Sequence, residues 1–192
     1  MTPLRWSAEP SAAAEVVGAL RLCIDLNVWC AAFLSENAGR TNTASQLLAL
    51  TAARGVCALG ATQIVISWAM LSRLEKVLVT DLEIGATDAR GYVEHIAKLA
   101  TAAPGGSAPY LVLGGTGMVP LHDDEDAGVL ETAVVGRADI VATGNFADFL
   151  NYRTQIVKPG RIAIHRTTDH EVIIAHFAEV AAWIRTGEIT FG

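Results

Sequence analysis

The residues of this chain whose types and placement could do chemistry together fall in four short places. They are Asp25 with Asn27, then Ser67, then the run His122–Asp123–Asp124–Glu125–Asp126, and finally Thr143 with Asn145 and Asp148. Three of the four carry carboxylates. Carboxylates held close repel one another unless a cation neutralises them. Hard oxygen ligands in that number suit Mg2+ or Mn2+, and not zinc. Because Mg2+ keeps several waters and favours phosphate groups, the reaction class served by such a set is metal-assisted cleavage of a phosphodiester. Each place taken singly has a plainer reading. An Asp or Asn after a strand commonly caps a helix or forms a turn, and an acidic run ahead of a helix complements its dipole. Only the combination favours chemistry.

A sheet would bring the four places together. Leu20 to Ile24 is an apolar run that ends at Asp25, as a buried strand handing over to a loop does. Helices are expected near Val28–Leu34 and over Thr43–Arg54, where Leu47, Leu48 and Leu50 form an apolar face and Gly55 is the stop. Gln63–Ser67 reads as a strand, with Ser67 capping a helix over Trp68–Val79. A further helix, about Asp81–Ala102, ends at APGGSAP, and Tyr110–Leu113 is a candidate strand. Beyond it come a helix over Asp124–Val135, the strand Asp139–Thr143 and a short helix over Asn145–Leu150. Ile162–Ile164 reads as an edge strand, and Glu171–Arg185 as a final amphipathic helix. Strands alternating with helices imply parallel pairing and right-handed crossovers, hence a three-layer α/β/α domain around a parallel central sheet. Ligands in such sheets bind outside the carboxyl ends of the strands, where the four places are expected.

Composition sets the bounds. A chain of 192 residues, 52% of them hydrophobic, suits one domain able to bury its own core. The organisation expected is an extension over residues 1–18, the main domain over 19–165, and a C-terminal helix within 166–192 packed on or beside it. The net charge of −6, with only 14 Lys and Arg, argues against a broad basic surface, so any RNA-binding stripe must be local. Cys23, Cys30 and Cys57 are odd in number and lack metal-type spacing, which suggests reduced thiols, and the opening MTPLRWSAEP lacks an apolar leader core. A cytoplasmic protein is expected, with no apolar stretch of bilayer-spanning length and so no membrane role. The stretch LGGTGM lacks the Lys and Ser/Thr of a phosphate loop and reads as an ordinary loop. Trp29 and Trp68 are read as core or cleft-wall residues. His165, His170 and His176 are read as surface or partner-contact residues, and Cys30 lacks a His partner that would make it a nucleophile.

Two segments carry a family resemblance. LRLCIDLNVWCAAFLS resembles the opening of PIN domains, where a strand ends in D-x-N-V. DEDAGVLETAVVGRADIVATGNFADFL resembles their second half, with D-x-x-V-L-x-x-A followed by A-D-x-x-x-T-G. The best match is the bacterial subgroup of toxins from toxin–antitoxin pairs, related to VapC, over roughly residues 20–165. VapC-like proteins also show T-x-N-x-x-D-F, which Thr143, Asn145, Asp148 and Phe149 reproduce. By resemblance, Asp25 and Asp126 would be ligands to Mg2+ or Mn2+, Asn27 would orient Asp25, and Thr143 would support the last corner with Asp148 or Asn145. The fold implied is PIN-like. The function implied is a metal-dependent endoribonuclease acting on RNA through a metal-activated water, neutralised by an antitoxin protein and often a homodimer.

Relatives usually carry a Glu four residues before a V-L pair on the helix after the second strand. Here Arg73 holds that place before Val77–Leu78, and the nearby acid, Glu75, is a further catalytic candidate beside Asp25, Asp126 and Asp148. Two residues along a helix turn the side chain by about 200°, so Glu75 is expected to point partly away from the other acids while Arg73 lies nearer. With Asn145 standing where many relatives have Asp, a degenerate PIN domain that binds RNA or protein without cutting is the alternative. A regulatory domain that takes a phosphoryl group on Asp25 is a third reading, one that lacks a suitable Lys after the later strands.

Overall fold

The computed structural model describes residues 18–102, 108–110, 121 and 124–192, with only the backbone at Asp124 and Glu125. Three short apolar runs dictate the centre. β1 (Leu20–Ile24), β3 (Gly60–Val65) and β4 (Ile140–Thr143) are almost wholly buried where they pair. Strands covered on both faces read as near-continuous hydrophobic runs, which is why all three were visible in the sequence. Leu22 pairs with Ile64 on one side and Ile140 on the other, both parallel.

The helices of the first half are α1 (Leu26–Asn37), α2 (Ala44–Arg54), α3 (Trp68–Thr80), α4 (Ala86–Ala102) and α5 (Asp124–Val135). A two-residue strand β2 (Val56–Cys57) turns back on β3. After β4 come a 3-10 helix (Phe146–Phe149), β5 (Thr154–Lys158), β6 (Ile162–Arg166), β7 (Glu171–His176) and α6 (Phe177–Thr186). The strand order is β2-β3-β1-β4-β7-β6-β5. β3, β1, β4 and β7 are parallel, and the outer strands make the sheet mixed, with β6 antiparallel to both its neighbours. α5 and the 3-10 helix cover one face; α1, α2 and α6 cover the other; α3 touches both α1 and α5. The result is three layers, α/β/α, as expected.

Local signals act where they stand. Thr43 and Gln46 form a capping box at α2, and Ser67 accepts the Met70 N–H at the start of α3. The turn after α5 passes so close to β3 that only glycine fits. A Cβ on Gly136 would lie 2.2 Å from Val65 Cγ1. Arg21 fastens that turn: its Nε donates to the Gly136 carbonyl at 2.8 Å, and Nη1 and Nη2 reach Gln63 Oε1 at 2.7 Å and the Tyr110 hydroxyl at 2.8 Å.

The second half departs from expectation. Glu171–Arg185 is not one helix: Glu171–His176 is β7, hydrogen-bonded between β4 and β6, and the helix begins at Phe177. The run Val172–Ile173–Ile174 is β-branched and buried, which suits an interior strand and disfavours a helix. Residues 166–192 therefore contribute a strand within the sheet as well as a helix beside it. Consequently β6 is interior and β5 is the edge. α4 starts at Ala86, later than expected, because Asp81 already closes α3 and the chain turns through Gly85. His165 is buried in β6 at 2% exposure, not on the surface. Trp29 is core, while Trp68 is half exposed. Tyr110 forms a single bridge to Ser67. The rest of its expected strand, the Leu113–Met118 loop, His122–Asp123 and the extension up to residue 17 lie outside the described residues. Among the described residues no helix is long and apolar enough to cross a membrane.

Candidate active site at the carboxyl edge of the sheet

The loops leaving β1 and β4 diverge. From β1 the chain enters α1 on one face; from β4 it enters the 3-10 helix on the other. Such a divergence between neighbouring parallel strands opens a crevice at their carboxyl ends. Asp25 follows β1 and Thr143 ends β4, so the topology alone sets these two side by side.

Asp25 is 3% exposed and held from several directions. Its backbone N–H donates to the Ala142 carbonyl at 3.0 Å, fastening β1 to β4 one residue past the last register pair. Its Oδ1 accepts the Leu26 N–H at 2.6 Å, capping α1. Its Oδ2 accepts Asn27 Nδ2–H at 2.7 Å and the Thr143 hydroxyl at 2.6 Å. Asn27 is itself fixed, because its Oδ1 accepts the Gly144 N–H at 2.9 Å. Thr143 in turn accepts the Asn145 N–H at 2.9 Å. A carboxylate is an acceptor only, and each of these donors satisfies charge that burial would otherwise penalise. Its negative charge is felt next door: burial first, and then Asp25, pushes the Cys23 thiol far above its ordinary range. Cys23 is therefore an inert thiol.

Hydrogen bonds link Asp25, Asn27, Thr143 and Asn145, all four expected at this edge from the sequence. Gly144, whose backbone holds Asn27, was not among the expected site residues; the glycine in T-G-N is the available signal. A Cβ there would come within 3.1 Å of Asn27 Oδ1.

The remaining acids stand on separate elements. α5 packs on β1, β4 and the 3-10 helix, with Thr132 Oγ1 3.0 Å from Ser67 Oγ and the Val129 carbonyl 3.9 Å from Cys23 Sγ. Asp126, one turn before Val129 on the same helix, is half-buried. Asp148 is exposed on the 3-10 helix, and its N–H closes that turn on the Asn145 carbonyl at 3.1 Å. Asn145 is exposed. Glu75 pairs with Arg90 of α4 at 3.3 Å, and Arg73 is exposed on α3. Ser67 is a helix cap. Among the described residues no group of three or more His, Cys, Asp or Glu is close enough to hold a metal ion.

A sequence profile described as PIN domain matches residues 21–147, more than half of the chain. The chain belongs to the PIN domain family. The matched span runs from β1 into the 3-10 helix and contains the site residues above except Asp148, which follows its last residue; β5, β6, β7 and α6 lie beyond it. No curated protein and no solved structure matches the chain. PIN domains are a nuclease-type fold, so the enzyme class implied is a hydrolase. Members of the family typically use divalent metal ions. The donor chemistry at this edge fits that type of ion, since carboxylate, amide and hydroxyl oxygens of Asp25, Asp126, Asp148, Asn27 and Thr143 are hard ligands.

Proposed function

We propose that this PIN domain is a divalent-metal-dependent endoribonuclease, the toxin of a toxin–antitoxin pair acting in the cytoplasm. The observation that supports the reading is Asp25, a carboxylate buried at the switch point and aimed by three hydrogen bonds. Asp25, Asp126 and Asp148 would hold Mg2+ or Mn2+, with Asn145 supporting the corner beside Asp148. An ion bound there supplies Lewis-acid polarisation of the scissile phosphate and lowers the pKa of water. The chain's own residues provide preorganisation. Thr143 and Asn27 fix Oδ2 of Asp25, and Gly144 fixes Asn27, so the carboxylate need not reorient when a phosphodiester arrives. Glu75 would join as a fourth acid only by giving up its pair with Arg90. RNA as substrate, an antitoxin partner and a homodimer follow from the resemblance of D-x-N-V and T-x-N-x-x-D-F to VapC-related toxins.

A second reading has one observation in its favour. With no three-acid group among the described residues, a PIN domain that binds RNA or protein without cutting remains consistent with the same fold. Purified protein incubated with single-stranded RNA separates the two. Slow cleavage in Mg2+, faster in Mn2+, lost in EDTA and in Asp126→Ala, supports the nuclease. Cleavage that survives EDTA refutes metal dependence. Failure to bind Mn2+ at millimolar concentration favours the non-catalytic reading.

A further inference from the structure

β7 ends beside the site. His176 is the register partner of Thr143, the residue whose hydroxyl holds Asp25. With β1, β4 and β7 adjacent, two strand spacings put the His176 backbone roughly 10 Å from that of Asp25 along the carboxyl edge. Phe177 follows and closes the gap: a Cβ on Gly144 would stand 3.7 Å from its ring, and that ring stacks on the His176 imidazole at 4.6 Å.

Arg161, at the head of β6, is bound to the same corner. Its carbonyl accepts the His176 N–H at 2.8 Å, and its Nη1 meets His176 Nδ1 at 3.2 Å. The Ala178 N–H also points at Nδ1, at 3.2 Å. Guanidinium and backbone amide only donate, so Nδ1 must accept and the ring proton sits on Nε2. Burial and the Arg161 charge both favour the neutral ring, against the opposing pull of Glu179. Its Nε2–H has no partner among the described residues. Neither does a carboxylate pair with Arg161 there, whereas Lys158 is paired with Glu179 at 3.4 Å and Arg166 with Glu171 at 2.7 Å. Arg161 is exposed. A guanidinium anchored through one N–H keeps the rest of its fork for an incoming anion.

We propose that Arg161 and His176 form a phosphate clamp, which grips the RNA backbone at a nucleotide neighbouring the one presented to Asp25. The clamp rests on the ribonuclease reading and names part of its substrate contact. It meets the constraint set by composition, since a chain of net charge −6 needs its cationic contacts concentrated. It also lies outside residues 21–147, on the strand and helix this chain adds beyond the matched span.

The test is fluorescence anisotropy of a short labelled single-stranded RNA of mixed sequence, in EDTA so that nothing is cut, over a range of salt. Arg161→Ala is expected to weaken binding roughly tenfold, the loss of one charge-assisted contact. Its log–log salt slope should fall by about 0.7, one phosphate on a single strand. Arg161→Lys should restore the slope with part of the affinity. His176→Asn keeps a helix-capping acceptor but lacks the outward N–H. It should bind about threefold more weakly with an unchanged melting temperature. An Arg161→Ala protein with wild-type affinity and slope overturns the clamp, as does a wild type that binds no RNA. Cleavage in Mn2+ separates this from the nuclease reading. Arg161→Ala should raise KM and spare kcat, whereas Asp126→Ala should abolish cleavage and spare binding. Should the wild type bind RNA but leave it uncut in Mn2+, the nuclease reading falls while a measured loss of binding in Arg161→Ala still upholds the clamp.

Discussion

Replacing Thr143 by Val tests whether the Asp25 centre is as tightly bonded as its geometry implies. Thr143 is fully buried and Asp25 is 3% exposed, so water cannot replace the 2.6 Å bond between them. A hydrogen bond to a buried charge contributes about 1.5–3 kcal/mol. Valine matches the threonine shape, so cavity effects add little. The Asn145 N–H also loses its acceptor, but Asn145 is exposed and water substitutes there. The expected loss is about 2–3 kcal/mol, a fall in Tm on the order of 5–10 °C for a chain of this size. A double-mutant cycle isolates the bond. Asp25→Ser keeps an oxygen to cap α1 but is too short to reach Thr143. In that background Thr143→Val should cost far less, giving a coupling energy of about 2 kcal/mol. Urea denaturation followed by circular dichroism at pH 7 supplies the four free energies. A coupling within about 0.5 kcal/mol of zero refutes the reasoning.

Gly136→Ala should destabilise by about 1–3 kcal/mol, because its Cβ would meet Val65 Cγ1 at 2.2 Å with Thr132 O and Tyr110 Cε2 each at 3.0 Å; an unchanged thermal melt contradicts this. Gly144→Ala, with its Cβ 3.1 Å from Asn27 Oδ1, should loosen Asn27 and cut RNA cleavage about tenfold with little loss of stability; wild-type kcat/KM would show that Asn27 does not position Asp25. His165 has its pKa lowered by burial and then by Arg153. The unfolded chain therefore binds the proton first, and stability present above the ordinary His pKa should be lost as pH falls below it. Stability curves between pH 7 and 5 should be flatter in His165→Gln, and an identical pH slope counts against the assignment. Asp148→Asn should leave the melt within about 1 °C of wild type, as exposed substitutions do, while reducing Mn2+-dependent cleavage; undiminished cleavage would remove Asp148 from the site.

What was legible in the sequence was whatever local physics decides alone. Leu20–Ile24, Ile64–Ile66 and Ile140–Ala142 announce themselves because buried parallel strands must be apolar throughout. The helix over Asp124–Val135 and the Ser67 cap were likewise readable from residue type and spacing. The carboxyl-edge rule puts Asp25, Asn27, Thr143 and Asn145 just past the ends of two adjacent parallel strands, where the structure has them. Glu171–Arg185 failed for an identifiable reason. EVIIAH joins FAEVAAWIR without a break residue, so only the slot between β4 and β6 makes the first part a strand. With β7 unseen, His176 and Phe177 could not be set beside Thr143. The edge strand β5 was missed because Thr154–Lys158 is half exposed and lacks a clean alternation. Gly144 stands out in T-G-N only as a glycine; that its backbone N–H holds Asn27 is a tertiary contact the pattern does not reveal.

Asp25 is the residue any nuclease reading points to first, yet it is the poorest one with which to decide between the two readings. It caps α1, its N–H joins β1 to β4, and its carboxylate gathers Asn27 and Thr143. A PIN domain that never cuts RNA would need the same aspartate to close the same crevice. Loss of activity on changing Asp25 therefore confounds chemistry with architecture. Asp148 carries no such duty. Its side chain is exposed, makes no hydrogen bond among the described residues, and sits on a turn closed by backbone groups alone. An acid at that position has little to contribute to folding, so whatever its removal costs in cleavage or Mn2+ affinity is a cost to the site.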